Sequence, residues 1–343
     1  MMEIQEQFSL KAYNTFAVDV LADFFVEVYT EQDIFDLISL DVFATHPHLI
    51  LWAGANILFT KNYPGLVIKI DLLGKEIVQE DTDNVWVKVG AGEDRHEFIM
   101  RSLEHWYVWG ENMVLIPGQV GSAPVGNIGA YGKETKDIVY EVEWIDIVTK
   151  EKKVRTNAEC QFGYRESIFK HALQDKIIIT AVTFVFTKES PEYIPNIQYA
   201  DIQHRIVAQG LDPLSITAQE VADSIITIRE SKLPDRRKIW TAGSFFKNPI
   251  ITQKEYDLLL QKYPEIKWNA VSDKIKLSAG QLIELAGYKW KQVGAVATYV
   301  KHALIIVNMG GASGAEVRAF AQSIQAKVKE MFDVTLEPEV IIM

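Results

Sequence analysis

Three polar segments of the chain carry side chains that could move a proton or stabilise a developing charge. Arg165 lies among aromatic residues in Phe162–Phe169, where a rigidly held guanidinium would offer a planar fork to a carboxylate or phosphate. Ser244 follows a glycine and precedes two phenylalanines, an arrangement that suits a hydroxyl used as a proton donor in a dry site. Glu337 and Glu339 flank a proline, and one of them could be a buried acid with a working role.

Each segment also has a purely structural interpretation, which stays open when the segment is taken alone. Arg165 could form a surface ion pair beside core aromatic residues, and Ser244 could cap a turn whose two phenylalanines enter the core. The two glutamates could face solvent at the edge of a sheet. A hydrolase nucleophile is not expected at Ser244, because Gly-x-Ser-x-Gly is absent and no histidine is evidently placed for it.

Residues 116–132, here called the glycine loop, contain five of the 20 glycines, two prolines and no charged residue. Such a loop can direct several backbone N–H groups at a phosphate or pyrophosphate, or it can be a buried connection rich in turns. It is not a P-loop, because Asn127 stands where the first glycine is needed and Glu134 where a serine or threonine is needed. The apolar run at 304–314 is not a dinucleotide fingerprint, because Met309 replaces a required glycine.

The composition of the 343 residues limits the classes of function. A net charge of −11 without any basic run predicts neither a nucleic-acid partner nor a membrane partner. The single cysteine, Cys160, excludes an internal disulfide and a thiolate metal cluster, and His46-Pro47-His48 is predicted to be a loop, so no metal is expected. No signal-peptide pattern and no apolar run of membrane-spanning length occurs, which predicts a cytoplasmic protein.

Hydrophobic periodicity predicts an α+β fold, with a β-rich N-terminal two-thirds and a helix-rich part from about residue 215. The predicted strands are Phe24–Val28, Leu49–Trp52, Leu66–Leu72, Val85–Gly90, Val139–Val148 and Ile177–Phe186. The predicted helices are Glu31–Leu40, Glu93–Glu104, one that begins after Thr217, Gln253–Lys262, Ser278–Leu285 and Gly314–Met331. Thr217 and Glu220 form a capping-box pattern, and Val334–Ile342 is predicted to be extended.

Together and in this order, the segments closely resemble the UDP-N-acetylenolpyruvoylglucosamine reductase (MurB) family. The motifs that carry the resemblance are the glycine loop, Tyr164-Arg165, residues 243–249 (GSFFKNP) and residues 336–340 (LEPEV). Supporting matches are residues 14–16 (NTF), 110–112 (GEN) and 276–280 (KLSAG), so that the resemblance covers nearly the whole chain. Tyr199 indicates the longer form of the family.

The resemblance implies an α+β fold in which two subdomains of the vanillyl-alcohol-oxidase (PCMH) type bind FAD non-covalently. A smaller α+β domain closes over the substrate. The implied divisions are residues 1–70, to which 333–343 return, then 71–214, and a substrate domain at 215–332. NADPH is the implied reductant of the flavin. The substrate, UDP-N-acetylglucosamine enolpyruvate, then enters the same cleft and becomes UDP-N-acetylmuramate for peptidoglycan. A monomer is expected.

The resemblance also implies roles for individual residues. Ser244 would protonate the enol carbon, while Arg165 and Glu339 would polarise the substrate carboxylate and stabilise the enol-like intermediate. The implied cofactor-binding residues are Gly54, Ala55, Asn56, Ile116, Pro117, Gly118, Gly121, Ser122, Ala123, Asn127, Gly129 and Ala130. The implied substrate-binding residues are Tyr164, Tyr199, Arg229, Lys232, Asn248 and Lys276, with Lys232 and Asn248 near the diphosphate.

Two departures and two alternatives accompany this hypothesis. The first nucleotide-binding turn usually reads Gly-x-Gly-Ser-Asn, whereas here Trp52 and Ala55 replace the first glycine and the serine. A substrate-loop tyrosine expected after Pro264 is absent, and Trp268 or Asn269 occupies that region. One alternative is an FAD oxidoreductase of the same fold that acts on a sugar alcohol or lactone with oxygen as acceptor. The other is a flavin- or UDP-sugar-binding regulator without turnover, which would not need all three catalytic residues.

Overall fold

The structure is a computed structural model that describes residues 2–235, 237–271 and 273–343. The strands are β1 Gln5–Ser9, β2 Leu21–Val28, β3 His48–Leu51, β4 Ile57–Leu58, β5 Tyr63–Ile70, β6 Lys75–Glu80, β7 Asn84–Gly90, β8 Tyr107–Val108, β9 Gly129–Ala130, β10 Lys133–Glu134, β11 Val139–Asp146, β12 Lys152–Thr156, β13 Ile177–Lys188, β14 Ile250–Ile251, β15 Trp268–Val271, β16 Lys274–Leu277, β17 Gln292–Val293, β18 Val296–Tyr299, β19 His302–Asn308 and β20 Ile341–Ile342. The helices are α1 Glu31–Leu37, α2 Asp41–Thr45, α3 Arg95–Glu104, α4 Ala200–Ala208, α5 Ala218–Lys232, α6 Gln253–Leu260, α7 Ala279–Ile283 and α8 Gly314–Phe332.

The chain forms two compact units. The first contains the N-terminal residues to Gln7 together with Asp23–Ala53 and Pro64–Ser231. The second contains Phe8–Ala22, Gly54–Tyr63 and Lys232–Met343. The predicted α+β class is confirmed by this mixture of helices and sheets. The division into three domains at residues 70 and 214 stays a prediction.

The core of the first unit lies around β13. This strand is the centre of a sheet of order β12-β11-β13-β7-β6, and its first eight residues are all buried. Phe98 of α3 packs on Phe184 and Phe186 of β13, with ring centroids 5.1 and 5.7 Å apart. The apolar face of α5, including Ile225, joins the same core. A second sheet, of order β1-β2-β5-β3, contains the parallel pair β3 and β5.

The second unit contains two small sheets, of order β14-β16-β15 and β17-β18-β19. Its last strand, β20, pairs in parallel with β4, so that Ile341 lies opposite Ile57. Helix α8 begins with a capping box at Ser313, and it needs glycine at position 314, where a Cβ would lie 1.7 Å from the carbonyl oxygen of Phe59. Within the described parts of the chain, no helix has the length and hydropathy needed to cross a bilayer.

Several predicted boundaries are wrong for identifiable reasons. Helix α1 ends at Leu37 and not at Leu40, because a short helix, α2, starts at Asp41. His48 belongs to β3 and not to a loop, since its backbone pairs with β5 and its ring stacks on Phe43 at 4.3 Å. The predicted extended segment at 334–342 forms a strand only at β20. The predicted helix at 278–285 is capped by Ser278, and its α-helical part ends at Ile283.

The turn between β11 and β12 provides a test of pH-dependent stability. The Asp146 carboxylate accepts hydrogen bonds from the backbone N–H of Thr149 (2.9 Å) and Val148 (3.0 Å) and from the ammonium of Lys153 (2.9 Å). The Thr149 N–H and then Lys153 lower the pKa of Asp146 to about 2. The stabilisation is complete above pH ~5, because an unfolded aspartate titrates near ~3.9, and it is lost as the pH falls through about 2.

Asp146→Asn is therefore expected to lower the free energy of unfolding at pH 7, by up to about 1 kcal/mol because the turn is near the surface. The deficit should shrink between pH 4 and pH 2, as measured by urea unfolding at each pH. Glu151→Gln is the control, since Glu151 lies 3.5 Å from the same lysine but is 65% exposed, and it should show no deficit. A deficit for Asp146→Asn that does not change with pH would contradict the explanation.

Candidate active site

The glycine loop follows a path that few side chains would allow. Gly118 and Gly132 have φ angles of 118° and 81°, and Asn127, at 42°, is also left-handed. A Cβ on Gly121 would lie 2.4 Å from the indole ring of Trp52. The path of the loop is therefore set by contacts within the protein itself.

Buried side chains hold the start of this loop. Arg95, the first residue of α3, is 4% exposed, and its Nη2 donates to the carbonyl groups of Ile116 (3.3 Å) and Pro117. Gln119 Nε2 donates to the Gly92 carbonyl at 2.8 Å. These contacts attach the loop to the turn that precedes α3.

The predicted cofactor residues in the middle of the loop make local contacts. Ser122 Oγ donates to the Gln119 carbonyl at 2.7 Å, and the Ala123 N–H donates to the Val120 carbonyl at 3.0 Å. Ala130 lies in β9, which pairs with β10. A helical turn at residues 120–122 and a small hairpin thus follow the entry segment.

Arg165 lies against the end of the glycine loop. Its backbone is left-handed (φ 57°), and its Nη2 and Nη1 donate to the carbonyl groups of Gly129 (2.9 Å) and Asn127 (3.5 Å). The Tyr164 ring centroid lies 5.6 Å from the guanidinium carbon. Asn127 Nδ2 returns a hydrogen bond to the Gly163 carbonyl at 2.8 Å. The structure thus brings Tyr164 and Arg165 to the glycine loop.

Arg229 and Tyr199 lie near another part of the loop. Arg229 Nη2 donates to the Leu115 carbonyl at 3.3 Å, and its side chain is hydrogen-bonded to Tyr131. Burial raises the pKa of the Tyr131 phenol and lowers the pKa of Arg229. The ring of Tyr199 meets the ring of Tyr131 edge-on, with centroids 5.6 Å apart. Two of the predicted substrate residues, Arg229 and Tyr199, therefore contact the same tyrosine of the glycine loop, Tyr131.

In the second unit, the backbone brings Ser244 and Glu339 together. The Phe245 N–H donates to the Leu304 carbonyl at 2.9 Å, and the Glu339 N–H donates to the Phe245 carbonyl at 2.8 Å. Phe245 and Phe246 are fully buried, while Ser244 is exposed. Phe245 and Phe246 lie in the core, as the structural interpretation of this segment predicts. Their burial fixes the Ser244 backbone beside that of Glu339.

The turn at residues 54–56 lies next to Glu339. Gly54 has a φ of 59°, and a Cβ there would lie 2.0 Å from the Tyr13 carbonyl oxygen. Asn56 Nδ2 donates to the Glu339 carbonyl at 3.0 Å. Ala55, between them, is half-buried. The predicted cofactor turn and a predicted catalytic residue are therefore neighbours.

The remaining predicted substrate residues surround the start of α7. Asn248 Oδ1 accepts the Ala279 N–H at 3.0 Å, and Lys276 lies in β16 opposite Ile250. Lys232 ends α5 close to His302, whose pKa is lowered first by burial and then by the lysine charge. Tyrosine is absent from β15, where Trp268 and Asn269 stand.

Family models match two parts of the chain. The model of the UDP-N-acetylenolpyruvoylglucosamine reductase C-terminal domain matches residues 234–343, and the model of an FAD binding domain matches residues 22–156. A UDP-N-acetylenolpyruvoylglucosamine reductase of Flavobacterium johnsoniae is 42% identical over 340 residues, which are 99% of each chain. One of Bdellovibrio bacteriovorus is 40% identical over 98% of this chain and 99% of its own. The chain belongs to the UDP-N-acetylenolpyruvoylglucosamine reductase family.

A solved member of the family has the same fold. The crystal structure of MurB from Thermus caldophilus matches 100% of this chain and 99% of its own, with a TM-score of 0.67 and 22% sequence identity. The resemblance drawn from the sequence motifs is thereby confirmed, and so is the predicted FAD-binding fold.

The glycine loop fits the diphosphate of FAD, the cofactor of this family. The matched FAD binding domain contains the whole loop. The loop has no charged residue of its own, whereas the guanidinium groups of Arg95 and Arg165 lie on its carbonyl oxygens and that of Arg229 lies on the carbonyl of Leu115, just before it. Fixed cations and a glycine-rich backbone are the groups that bind an anion. The large residue Trp52 does not obstruct the loop, because Gly121 accommodates its ring.

Sequence reasoning missed the residues that support this site. Arg95 is the first residue of α3, and no sequence motif marks it. His302 could not be distinguished from the other histidines, which are scattered along the chain. Glu111 and Asn112 were used only for the resemblance, yet both are fully buried polar residues. The one available signal was a pair of adjacent polar residues, Glu111-Asn112, directly before an apolar loop.

Arg95→Met is expected to weaken FAD binding. Methionine keeps the stem of the side chain but removes the charge and the donors to Ile116 and Pro117. Hydrogen bonds from a charged group contribute about 1.5–3 kcal/mol, so the FAD dissociation constant should rise at least about tenfold in fluorescence titration.

Arg101→Met is the matched control, because Arg101 lies in the last turn of the same helix and is exposed. It should leave the FAD dissociation constant unchanged. If Arg95→Met lowers thermal stability but binds FAD as the wild type does, the loop does not depend on Arg95 for cofactor binding.

Proposed function

We propose that this protein reduces UDP-N-acetylglucosamine enolpyruvate to UDP-N-acetylmuramate with FAD as cofactor and NADPH as reductant. In this reaction it supplies a precursor of peptidoglycan. The observation that carries the proposal is the contact between the Ser244 and Glu339 segments, in a chain that belongs to the reductase family. Family membership favours this activity over the sugar-alcohol oxidoreductase and the regulator without turnover.

Ser244, Arg165 and Glu339 have separate roles in the proposed reaction. The substrate double bond takes up one hydride and one proton, and bound FAD supplies the hydride-transfer chemistry. Ser244 donates the proton, since its residue is exposed while the two phenylalanines that follow it are buried and fix its backbone. Arg165 and Glu339 stabilise the charge that develops on the substrate carboxylate, because groups fixed before the reaction need no reorganisation.

Several polar side chains have the chemistry to bind a UDP-sugar. Lys232 and Lys276 carry positive charge for the diphosphate. Asn248 Oδ1 is already bonded to the start of α7, so its Nδ2 is the atom that donates to the ligand. Tyr199 and Arg229, which share the contact with Tyr131, offer further polar groups for the nucleotide or sugar.

The proposal also covers the cellular location, the oligomeric state and the binding partners of the protein. It acts in the cytoplasm as a monomer, on a small-molecule substrate, without nucleic-acid, membrane or metal partners. The net charge of −11 supports the absence of a nucleic-acid partner, because a polyanion would be repelled. Among the described residues, no cluster of histidine, cysteine and acidic side chains could hold a metal ion.

Arg165→Lys is expected to lower kcat by about 10²-fold or more with little loss of stability. Lysine keeps the charge but loses the planar fork that spans the carbonyl groups of Asn127 and Gly129. Arg155→Lys is the control, because its guanidinium also lies over an aromatic ring, Trp144, at 5.7 Å. Steady-state kinetics that show equal activity for Arg165→Lys and the wild type would remove Arg165 from the catalytic machinery.

Ser244→Ala separates the two halves of the reaction. Flavin reduction by NADPH needs no proton at the substrate carbon, so anaerobic bleaching should proceed at a near-normal rate. Recovery of the flavin colour on adding the enolpyruvyl sugar should slow by about 10²–10⁴-fold, the contribution of a positioned acid. Ser323→Ala, which removes another hydroxyl from the same unit, should affect neither step.

Each other result for Ser244→Ala has a definite meaning. If both half-reactions slow equally, Ser244 shapes the site and is not the proton donor. If neither half-reaction slows, the hydroxyl is dispensable and Glu339 becomes the first candidate for the acid.

A further inference from the structure

The residue directly before the glycine loop, Leu115, has an unfavourable backbone conformation. Its φ is 56°, in the left-handed region, where the Cβ of an L-residue crowds the backbone. Glycine and asparagine adopt this conformation readily, whereas leucine does so only where its surroundings enforce it. Contacts with other residues must therefore hold Leu115, and these contacts set the direction in which the loop starts at Ile116.

Two side chains from different helices bind the polar groups of Leu115. Its N–H donates to Nδ1 of His96, in α3, at 3.1 Å. Its carbonyl accepts a hydrogen bond from Nη2 of Arg229, in α5, at 3.3 Å. Each hydrogen bond fixes the peptide plane on one side of Leu115, so that together they define its φ and ψ angles.

The first turn of α3, which carries His96, is itself held in place. Its N-cap, Asp94, accepts the Glu97 N–H at 2.9 Å, and the Arg95 N–H donates to the Gly118 carbonyl at 3.1 Å. Arg95 gives the start of the loop only donors, whereas His96 gives it an acceptor. The same helical turn therefore satisfies both kinds of backbone group in the segment that leads into the loop.

His96 can play this part only as a neutral imidazole. Nδ1 accepts a hydrogen bond when the single ring proton is on Nε2, and a second proton on Nδ1 would turn the acceptor into a donor that faces the Leu115 N–H. Burial lowers the pKa of His96. Asp94 and Glu97, on its own helix, oppose this shift, and the charge of Arg229 on α5 reinforces it. Because the resulting pKa lies below the ordinary value of ~6.5, the acceptor is present at pH 7 and is lost in more acidic solution.

We propose that His96 is a positioning residue for FAD binding. Together with Arg229, its Nδ1 holds Leu115 in the left-handed conformation, so that residues 116–118 start the glycine loop on the path that receives the cofactor diphosphate. Without this acceptor, Leu115 relaxes to a more common conformation and the cofactor has to order the segment, which lowers its affinity. The inference concerns the binding of FAD and is independent of the substrate that the reduced flavin acts on.

Two substitutions of His96 test the role of the acceptor. His96→Leu removes it, and the FAD dissociation constant of the full-length protein at pH 8 should rise about 3- to 10-fold, the range of one hydrogen bond. His96→Asn retains an acceptor, because Oδ1 of asparagine and Nδ1 of histidine are both attached to Cγ. Its dissociation constant should stay within about twofold of the wild type. Flavin fluorescence titration of the apoprotein measures both values.

The pH dependence of FAD release tests the protonation state of His96. In the wild-type holoenzyme, the rate of FAD release on dilution should rise about 2- to 10-fold between pH 7.5 and pH 5, as His96 gains a proton and loses its hydrogen bond to Leu115. His96→Asn has no group at this position that titrates in the range, so its release rate should change less. The general gain of positive charge in acid is common to both proteins, and the ratio of their rates isolates His96.

His105→Leu is the matched control. His105 is the C-cap residue of the same helix and is exposed. This variant should leave both the FAD dissociation constant and the pH profile of FAD release unchanged.

Three results would overturn the inference. A folded His96→Leu protein with the wild-type FAD dissociation constant would show that the acceptor is dispensable. An equal loss of affinity in His96→Asn and His96→Leu would assign the effect to packing of the ring. A release rate that rises as steeply in His96→Asn as in the wild type would place the titrating group elsewhere, and this comparison decides the matter even if His96→Leu does not fold. None of these results bears on the proposed reduction of the enolpyruvyl sugar, which turnover by the wild-type protein tests.

Discussion

The candidate site depends on hydrogen bonds to the backbone carbonyl groups of the glycine loop, which is uncharged and has little regular structure of its own. A buried carbonyl without a donor costs free energy, and the glycine loop has few ladder partners to supply one. Side chains supply them instead: Arg229 binds the carbonyl before the loop, Arg95 binds two at its start, and Arg165 and Asn112 bind those near its end. These donors come from four separate segments of the first unit: α3, α5 and the segments around Asn112 and Arg165.

This arrangement has an electrostatic consequence. Carbonyl dipoles that point at guanidinium groups leave the loop with cations around it, although the chain as a whole has a charge of −11. Local charge and backbone geometry suit an anionic cofactor such as FAD, and the net charge of the chain matters little at this range because salt screens distant charges. In the second unit, a backbone held by the burial of Phe245 and Phe246 plays the equivalent part for Ser244 and Glu339.

The elements with clear periodicity and the motifs with chemically useful side chains could be predicted from the sequence. Periodicity located β7, β11, β13 and α8 to within a few residues. In the first unit, the Tyr164-Arg165 motif contacts the glycine loop. In the second unit, residues 243–249 contact the motif at residues 336–340. The supporting residues could not be found in this way. The role of Arg95 is defined by partners more than 20 residues away, and β20 pairs with a strand 284 residues earlier. Nothing local in Trp52 reveals that Gly121 makes room for its ring.

The most direct test of the account is a stoichiometric anaerobic cycle of the purified wild-type protein. One equivalent of NADPH should bleach the bound flavin, and one equivalent of UDP-N-acetylglucosamine enolpyruvate should then restore its colour in the absence of oxygen. Mass spectrometry should show that the sugar has gained two hydrogens, one as the hydride and one as the proton. A flavin that stays reduced until oxygen is admitted, with the sugar recovered unchanged, would contradict the proposed function.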